Sequence, residues 1–413
     1  MTASLPPIDA RRVFEILDDL QRFTEGAGRT QRLALSKEDA LARAYFNDWM
    51  LASGLNVETD PVGNQFGFRA GTEELACVGF GSHLDTVKDA GEFDGTLGMA
   101  VGMYFVEWLN GYGLTTSHPL CLINFTNEEG VRFVPSIMGS AYMAEQITLE
   151  AALNAKALEE DVTVKDELTR RNLSGPFDST QLNLHCFLEL HIEQGPVLER
   201  EEKDIGIVEG VQGMYWTEYI FEGRAQHTGT TPLNMRKNAG QAATHFVHEA
   251  YQLSLRYDQH LLSNGVFEVA PNAPNIIPSR ARIILDSRNP SAQALTEVQE
   301  KVDHLAQEIA KSYHVNVSAE AVERYAPVSF HPDVISAVST AVSDAGLHGQ
   351  RMFSGAGHDA GLIGMKHPAG MIFIPSRDGI SHNPKEYSSP DQIQNGLEVY
   401  IRALTQLANV LRH

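Results

Sequence analysis

Four short apolar runs, Ala76–Phe80, Leu120–Phe125, Cys186–Leu190 and Met371–Ile374, constrain the fold of this chain more than any other feature. Each has the length and composition of a strand. A helix-like stretch, Thr96–Leu109, lies between the first two. Residues 8–23 and 37–53 carry apolar side chains at three- and four-residue spacing and read as amphipathic helices. That alternation predicts an α/β sheet flanked by helices.

The middle of the chain follows a different pattern. Met214–Glu222, Arg280–Asp286 and His314–Glu320 read as strands, and Ala239–Gln252 and Ala292–Ser312 as helices. This mixture predicts a compact α+β insert over 211–326, with 1–210 and 327–413 forming one larger domain. A chain of 413 residues exceeds what one hydrophobic core usually organises.

Each of the four runs leads directly into metal-capable side chains. His83 and Asp85 follow the first, Glu128 and Glu129 the second, His191 and Glu193 the third, and His382 the fourth. Asp94 sits in the Gly-rich loop 91–98, just before a helix. In open α/β sheets, sites form beyond the carboxyl ends of the strands. Imidazole and carboxylate together suit zinc and similar divalent ions, and a bridging carboxylate holds two of them. His83 and Asp85 are two apart, so on an extended strand both point the same way, which would let Asp85 orient His83. Of the adjacent pair Glu128 and Glu129, one can hold metal while the other acts as general base.

Taken singly, each signal has a bland explanation. A lone histidine is usually a satisfied polar residue, and His185, His245, His248, His260, His304, His314 and His331 are placed in that class. The loop 91–98 lacks the lysine and the glycine spacing of a phosphate site. The convergence of five groups at comparable positions is what favours a metal centre.

Composition narrows the partners. The formal charge of −21, from 32 Lys+Arg against 53 Asp+Glu, disfavours nucleic acid and anionic membranes. No apolar segment approaches membrane-spanning length, and the first residues lack the basic and apolar pattern of a signal peptide. The expected location is therefore cytoplasmic. Cys77, Cys121 and Cys186 each lie in an apolar run and read as buried, reduced thiols. Against this acidic background, Arg288 at a strand end is a fit anchor for a substrate carboxylate, and equally a partner for a surface acid. His227 reads either as an oxyanion-stabilising group or as a turn residue.

Seven motifs carry a family resemblance. They are Gly-Ser-His-Leu-Asp-Thr, Phe-Asp-Gly, Asn-Glu-Glu-Gly-Val-Arg-Phe, Glu-Leu-His-Ile-Glu-Gln-Gly-Pro, His-Thr-Gly-Thr-Thr-Pro, Ser-Gly-Ala-Gly-His-Asp-Ala and Gly-Ile-Ser-His-Asn-Pro. In this order they resemble the amidase branch of the M20 metallopeptidase family, which holds N-carbamoyl-L-amino acid hydrolases, β-ureidopropionases and allantoate amidohydrolases. The resemblance implies a zinc-peptidase-like α/β catalytic domain, a mixed sheet flanked by helices, with an inserted α+β lid and dimerisation domain, and hence a homodimer.

It further implies two divalent ions, zinc, manganese, cobalt or nickel. His83 and His191 would hold one, Glu129 and His382 the other, with Asp94 bridging. Glu128 would be the general base and acid, and Asp85 would orient His83. Gln194, His227, Asn275, Arg288 and Gly379 would contact substrate, and His358 and Asp359 would lie near the site. The implied reaction is hydrolysis of the ureido C–N bond of an N-carbamoyl-L-amino acid to amino acid, carbon dioxide and ammonia. Allantoate and β-ureidopropionate are the alternative substrates. A metal-dependent ligand-binding protein without turnover is the alternative outside the hydrolases, and an intact Glu128 speaks against it.

Overall fold

The computed structural model describes residues 5–25 and 30–411. The chain forms two compact units, one taking the chain up to Gly210 and again from Ser329, the other Val211–Val328.

The four apolar runs become Cys77–His83, Leu120–Phe125, Leu184–Ile192 and Ala369–Ile374, adjacent strands at the centre of a nine-stranded sheet. Leu120–Phe125, Cys77–His83, Leu184–Ile192 and Ala369–Ile374 lie side by side in that order, and every neighbouring pair is parallel. Their carboxyl ends therefore share one edge. Antiparallel strands extend both flanks: Gln65–Arg69 pairs with Leu120–Phe125, and Ile205–Val211 with Ala369–Ile374. The sheet is thus mixed, as the family resemblance implied.

All but one residue of the central four strands are buried, the exception being His185. Helix Thr96–Gly111 packs on the sheet with Met99, Met103, Phe105 and Leu109 fully covered. Its small residues permit that closeness, since a Cβ at Gly98 would meet Ser82 at 2.7 Å and one at Gly102 would meet Leu122 at 2.6 Å. Arg11–Gln21, Lys37–Ala52, Pro332–Asp344 and Pro390–Leu407 supply further helices around this core. Buried Arg43 on Lys37–Ala52 is neutralised one turn away by Asp39 at 2.8 Å. Among the described residues, no helix is long and apolar enough to cross a membrane. The three cysteines are buried and unbridged.

The smaller unit is a four-stranded antiparallel sheet, Asn316–Tyr325, Gly213–Glu222, Arg280–Asn289, Leu261–Ala270, with Ala239–Ser254 and Ala292–Ser312 on one face. Alternate residues Tyr219, Phe221, Ala281, Ile283 and Leu285 point into its core. Strand Leu261–Ala270 has no counterpart in the sequence reading. Most of its residues are exposed, so it lacks the alternation that marks a half-buried strand.

Candidate metal centre

At the shared carboxyl edge, His83, His191, Asp94, Glu128, Glu129 and His382 converge. His83 is the last residue of its strand, and His191 the penultimate residue of Leu184–Ile192. Glu128 and Glu129 lie in the turn after Leu120–Phe125, which Asn127 opens with a left-handed φ of 55°. Asp94 precedes helix Thr96–Gly111, where Gly95 adopts φ 63°. Glycine is required there twice over, since a Cβ would stand 2.3 Å from the His83 ring.

Asp94 divides its carboxylate between two groups. Its Oδ1 lies 3.1 Å from His191 Nε2 and 3.8 Å from His83 Nε2. Its Oδ2 lies 3.1 Å from His382 Nε2, which in turn is 3.3 Å from Glu129 Oε2. Glu128 Oε2 stands 3.6 Å from His83 Nε2. The cleft they line measures about 160 Å³ and also reaches Gln194 and His358.

The donor set fits divalent cations. His83 Nδ1 meets the Asp85 carbonyl at 2.8 Å, and His191 Nδ1 meets the Ile192 carbonyl at 2.9 Å. A carbonyl only accepts, so Nδ1 carries a hydrogen in each ring and Nε2 is the nitrogen left facing the carboxylates. His83 Nε2 is buried without a hydrogen-bond partner. Its lone pair faces Asp94 and Glu128 in a dry site, where repulsion holds them apart unless a cation lies between them. Burial, followed by the charges of Asp359, Glu129, Asp94 and Asp85, pushes Glu128 well above the usual carboxylate range. Glu129 is raised by burial and by Asp94 and Asp85. Positive charge inside the cluster relieves both.

Burial holds His83 down at about 4. Burial would lower His191 too, but its bond to Asp94 and that residue's charge lift it to about 9. A cation bound through Nε2 must displace that His191 proton. The expected result is that divalent-ion affinity falls as pH drops below about 9 and that uptake releases protons. Calorimetry in buffers of different ionisation enthalpy measures this. A pH-independent affinity with no proton release contradicts the assignment.

Two details depart from the sequence reading. The Asp85 carboxylate does not face His83. Its Oδ1 accepts from Glu128 N at 3.2 Å and its Oδ2 from Glu129 N at 3.3 Å, and only its carbonyl touches the imidazole. The strand ends at His83, so the two-residue rule for extended chain no longer applies. Glu193, grouped with the metal-capable residues, instead accepts from Val197 N at 2.8 Å and Leu198 N at 2.9 Å and starts a short helix.

The remaining predicted residues fall into two places. Gln194, in a left-handed conformation with φ 57°, donates to Asp94 Oδ2 at 2.8 Å. Gly379, φ 66°, packs against the backbone of Gly195 and Pro196. His358 is buried, its ring edge-on to His191 at 4.6 Å and its Nε2 3.0 Å from Ser354 Oγ. Asp359 accepts from Ser140 Oγ at 2.5 Å. His227, Asn275 and Arg288 belong to the smaller unit. His227 Nδ1 accepts from Gly229 N and Thr230 N, which leaves Nε2 as the donor. Thr228 N bonds the Asn275 carbonyl at 3.0 Å, so those two residues are neighbours. Arg288 pairs with Asp286 on its own strand at 2.9 Å.

Three supporting residues escaped the sequence reading, Glu189 and Ser381 inside recognised motifs and Glu386 two residues past one. Glu189, two residues before His191, accepts from Ser82 Oγ at 2.6 Å and from Ala360 N at 2.9 Å. Ser381 and Glu386 flank His382 and reach Asp94. Proximity to a ligand was the available signal, but serine and glutamate are too common for spacing alone to single them out.

Known proteins resemble this chain in sequence and in fold. Residues 79–406 match the profile of peptidase family M20/M25/M40. An N-carbamoyl-L-amino-acid amidohydrolase from Rhizobium meliloti is 35% identical over 98% of both chains. An allantoate amidohydrolase from Bacillus subtilis is 32% identical over 92% of both. The crystal structure of a hydantoinase/carbamoylase-family amidase from Burkholderia multivorans superposes with a TM-score of 0.93 at 34% identity, covering 97% of this chain and 98% of that one.

Proposed function

This chain belongs to the amidase branch of peptidase family M20/M25/M40 and hydrolyses C–N bonds other than peptide bonds, and from that premise we propose that it cleaves the ureido bond of an N-carbamoyl-L-amino acid. The observation that carries the reading is the Asp94 carboxylate, shared between two histidine-containing groups beside a buried Glu128. His83, His191 and Asp94 would hold one divalent ion, and Glu129, His382 and Asp94 a second. Such ions acidify water and polarise a carbonyl oxygen.

The chain's own residues do the rest. Glu128 accepts the proton of the attacking water and returns it to the departing nitrogen. Asp85 fixes Glu128 by binding its backbone amide. In the smaller unit, His227, its Nε2 left as donor, has the chemistry to stabilise a charge developing on a ureido oxygen, and Arg288 and Asn275 the chemistry to bind an α-carboxylate and so fix chirality and orientation. Gln194 and Gly379 border the substrate at the metal edge, with His358 beneath. The carbamoyl fragment leaves as carbon dioxide and ammonia.

Ammonia release from N-carbamoyl-L-methionine, N-carbamoyl-β-alanine and allantoate, compared on the metal-loaded enzyme, tests the reading. The carbamoyl-L-amino acid is expected to turn over fastest, and a chelator to abolish the activity. Faster turnover of allantoate establishes the second reading, which the Bacillus subtilis relative supports. Arg288→Ala is expected to raise KM about 10- to 100-fold, the worth of a charged hydrogen bond, with a smaller change in kcat. An unchanged KM removes Arg288 from the substrate site.

A further inference from the structure

We propose that Glu386, acting through Ser381, is a positioning residue that sets the outer oxygen of Asp94 and thereby the affinity of the His382-side ion. The inference rests on the two-cation reading above and assigns a role to residues that hold no ion themselves.

Glu386 is buried and grips Asp94 at both ends. Its Oε1 accepts from Phe93 N at 3.0 Å and from Asp94 N at 3.1 Å. Its Oε2 lies 2.8 Å from Ser381 Oγ, and that hydroxyl lies 3.0 Å from Asp94 Oδ2. The main chain and the side chain of Asp94 are thus tied to one carboxylate. The loop is pressed against it as well, since a Cβ on Gly91 would stand 2.3 Å from Glu386.

The connection is one-sided. Asp94 Oδ2 faces His382, whereas Oδ1, facing His83 and His191, receives nothing from Ser381 or Glu386. Losing the Glu386–Ser381 link therefore loosens the oxygen that serves one cation, leaving Gln194 Nε2 as its remaining donor, and takes nothing from Oδ1. Glutamine preserves the link. Its carbonyl accepts the two amides, and its NH₂ donates to Ser381 Oγ, whose own hydrogen then points to Asp94 Oδ2.

Cobalt(II) titration of the ion-free full chain, followed by visible absorption and elemental analysis, tests the assignment on Glu386→Ala, Glu386→Gln and Ser381→Ala. Ser381→Ala is expected to bind one cobalt with native affinity and the second about 10- to 100-fold more weakly, the usual effect of losing an outer partner of a metal ligand; Glu386→Ala, which also releases the Phe93 and Asp94 amides, is expected to weaken the second at least as much and more than the first. Glu386→Gln is expected to bind both nearly as the native protein does. Equal weakening of both ions in the alanine variants, native binding of both, or a glutamine variant as weak as alanine overturns the proposal. The melting temperature of each ion-free variant separates misfolding from loss of the link. Native protein that takes up no cobalt sinks the metal-centre reading itself, whereas native protein with two ions and unaltered variants sinks only the role of Glu386.

Discussion

Glu128→Gln is expected to lower kcat by about 10²–10⁴-fold while the protein keeps its full complement of ions. The side chain is nearly isosteric, so the cavity, the amide bond to Asp85 and the neighbouring ligands are undisturbed. What disappears is the ability to take a proton from water and hand it to nitrogen. Glu128 is not needed to build either group around Asp94, as His83, Asp94 and His191 on one side and Asp94, Glu129 and His382 on the other converge without it. Metal content should accordingly stay level while turnover collapses and KM changes little. Steady-state ammonia release alongside elemental analysis decides the matter. Turnover near the native rate removes Glu128 from the chemistry. A loss that tracks a loss of ions makes it a ligand instead.

Asp94→Asn has the wider consequence. One carboxylate serves both groups, with Oδ1 toward His83 and His191 and Oδ2 toward His382. An amide offers one oxygen and no charge, and places an NH₂ against ring nitrogens that should face a cation. Both ions are expected to weaken by more than the roughly 100-fold that removal of an outer partner costs, and activity should vanish at ion concentrations that saturate the native enzyme. A variant that retains either ion at native affinity would show two separate sites rather than a shared bridge. The two substitutions together distinguish a proton carrier from a scaffold ligand, because the first silences chemistry with the ions in place and the second empties the site.

Much of this arrangement was legible before any fold was known. The strand-length runs ending in Gly-Ser-His, Thr-Asn-Glu-Glu and Leu-His-Ile-Glu announced strands of an α/β sheet with polar residues at their carboxyl ends, where sites form in such sheets. Less legible were contacts that depend on the chain turning away from strand geometry. Asp85 was expected to face His83, but two residues past the strand end are enough to swing its carboxylate onto the amides of Glu128 and Glu129. Glu193 carries the same chemistry as Glu129, yet serves a helix start.

The amino-acid order alone determined the strand segments, an α/β sheet flanked by helices and the identity of the candidate ligands, because hydrophobic periodicity and residue chemistry are local properties. Tertiary structure decided which oxygen of Asp94 faces which histidine, and that Ser381 and Glu386 stand behind one of them. Those facts depend on side-chain directions where loops distant in sequence meet at a single edge of the sheet, and such directions are set by packing and backbone angles that spacing along the chain does not encode.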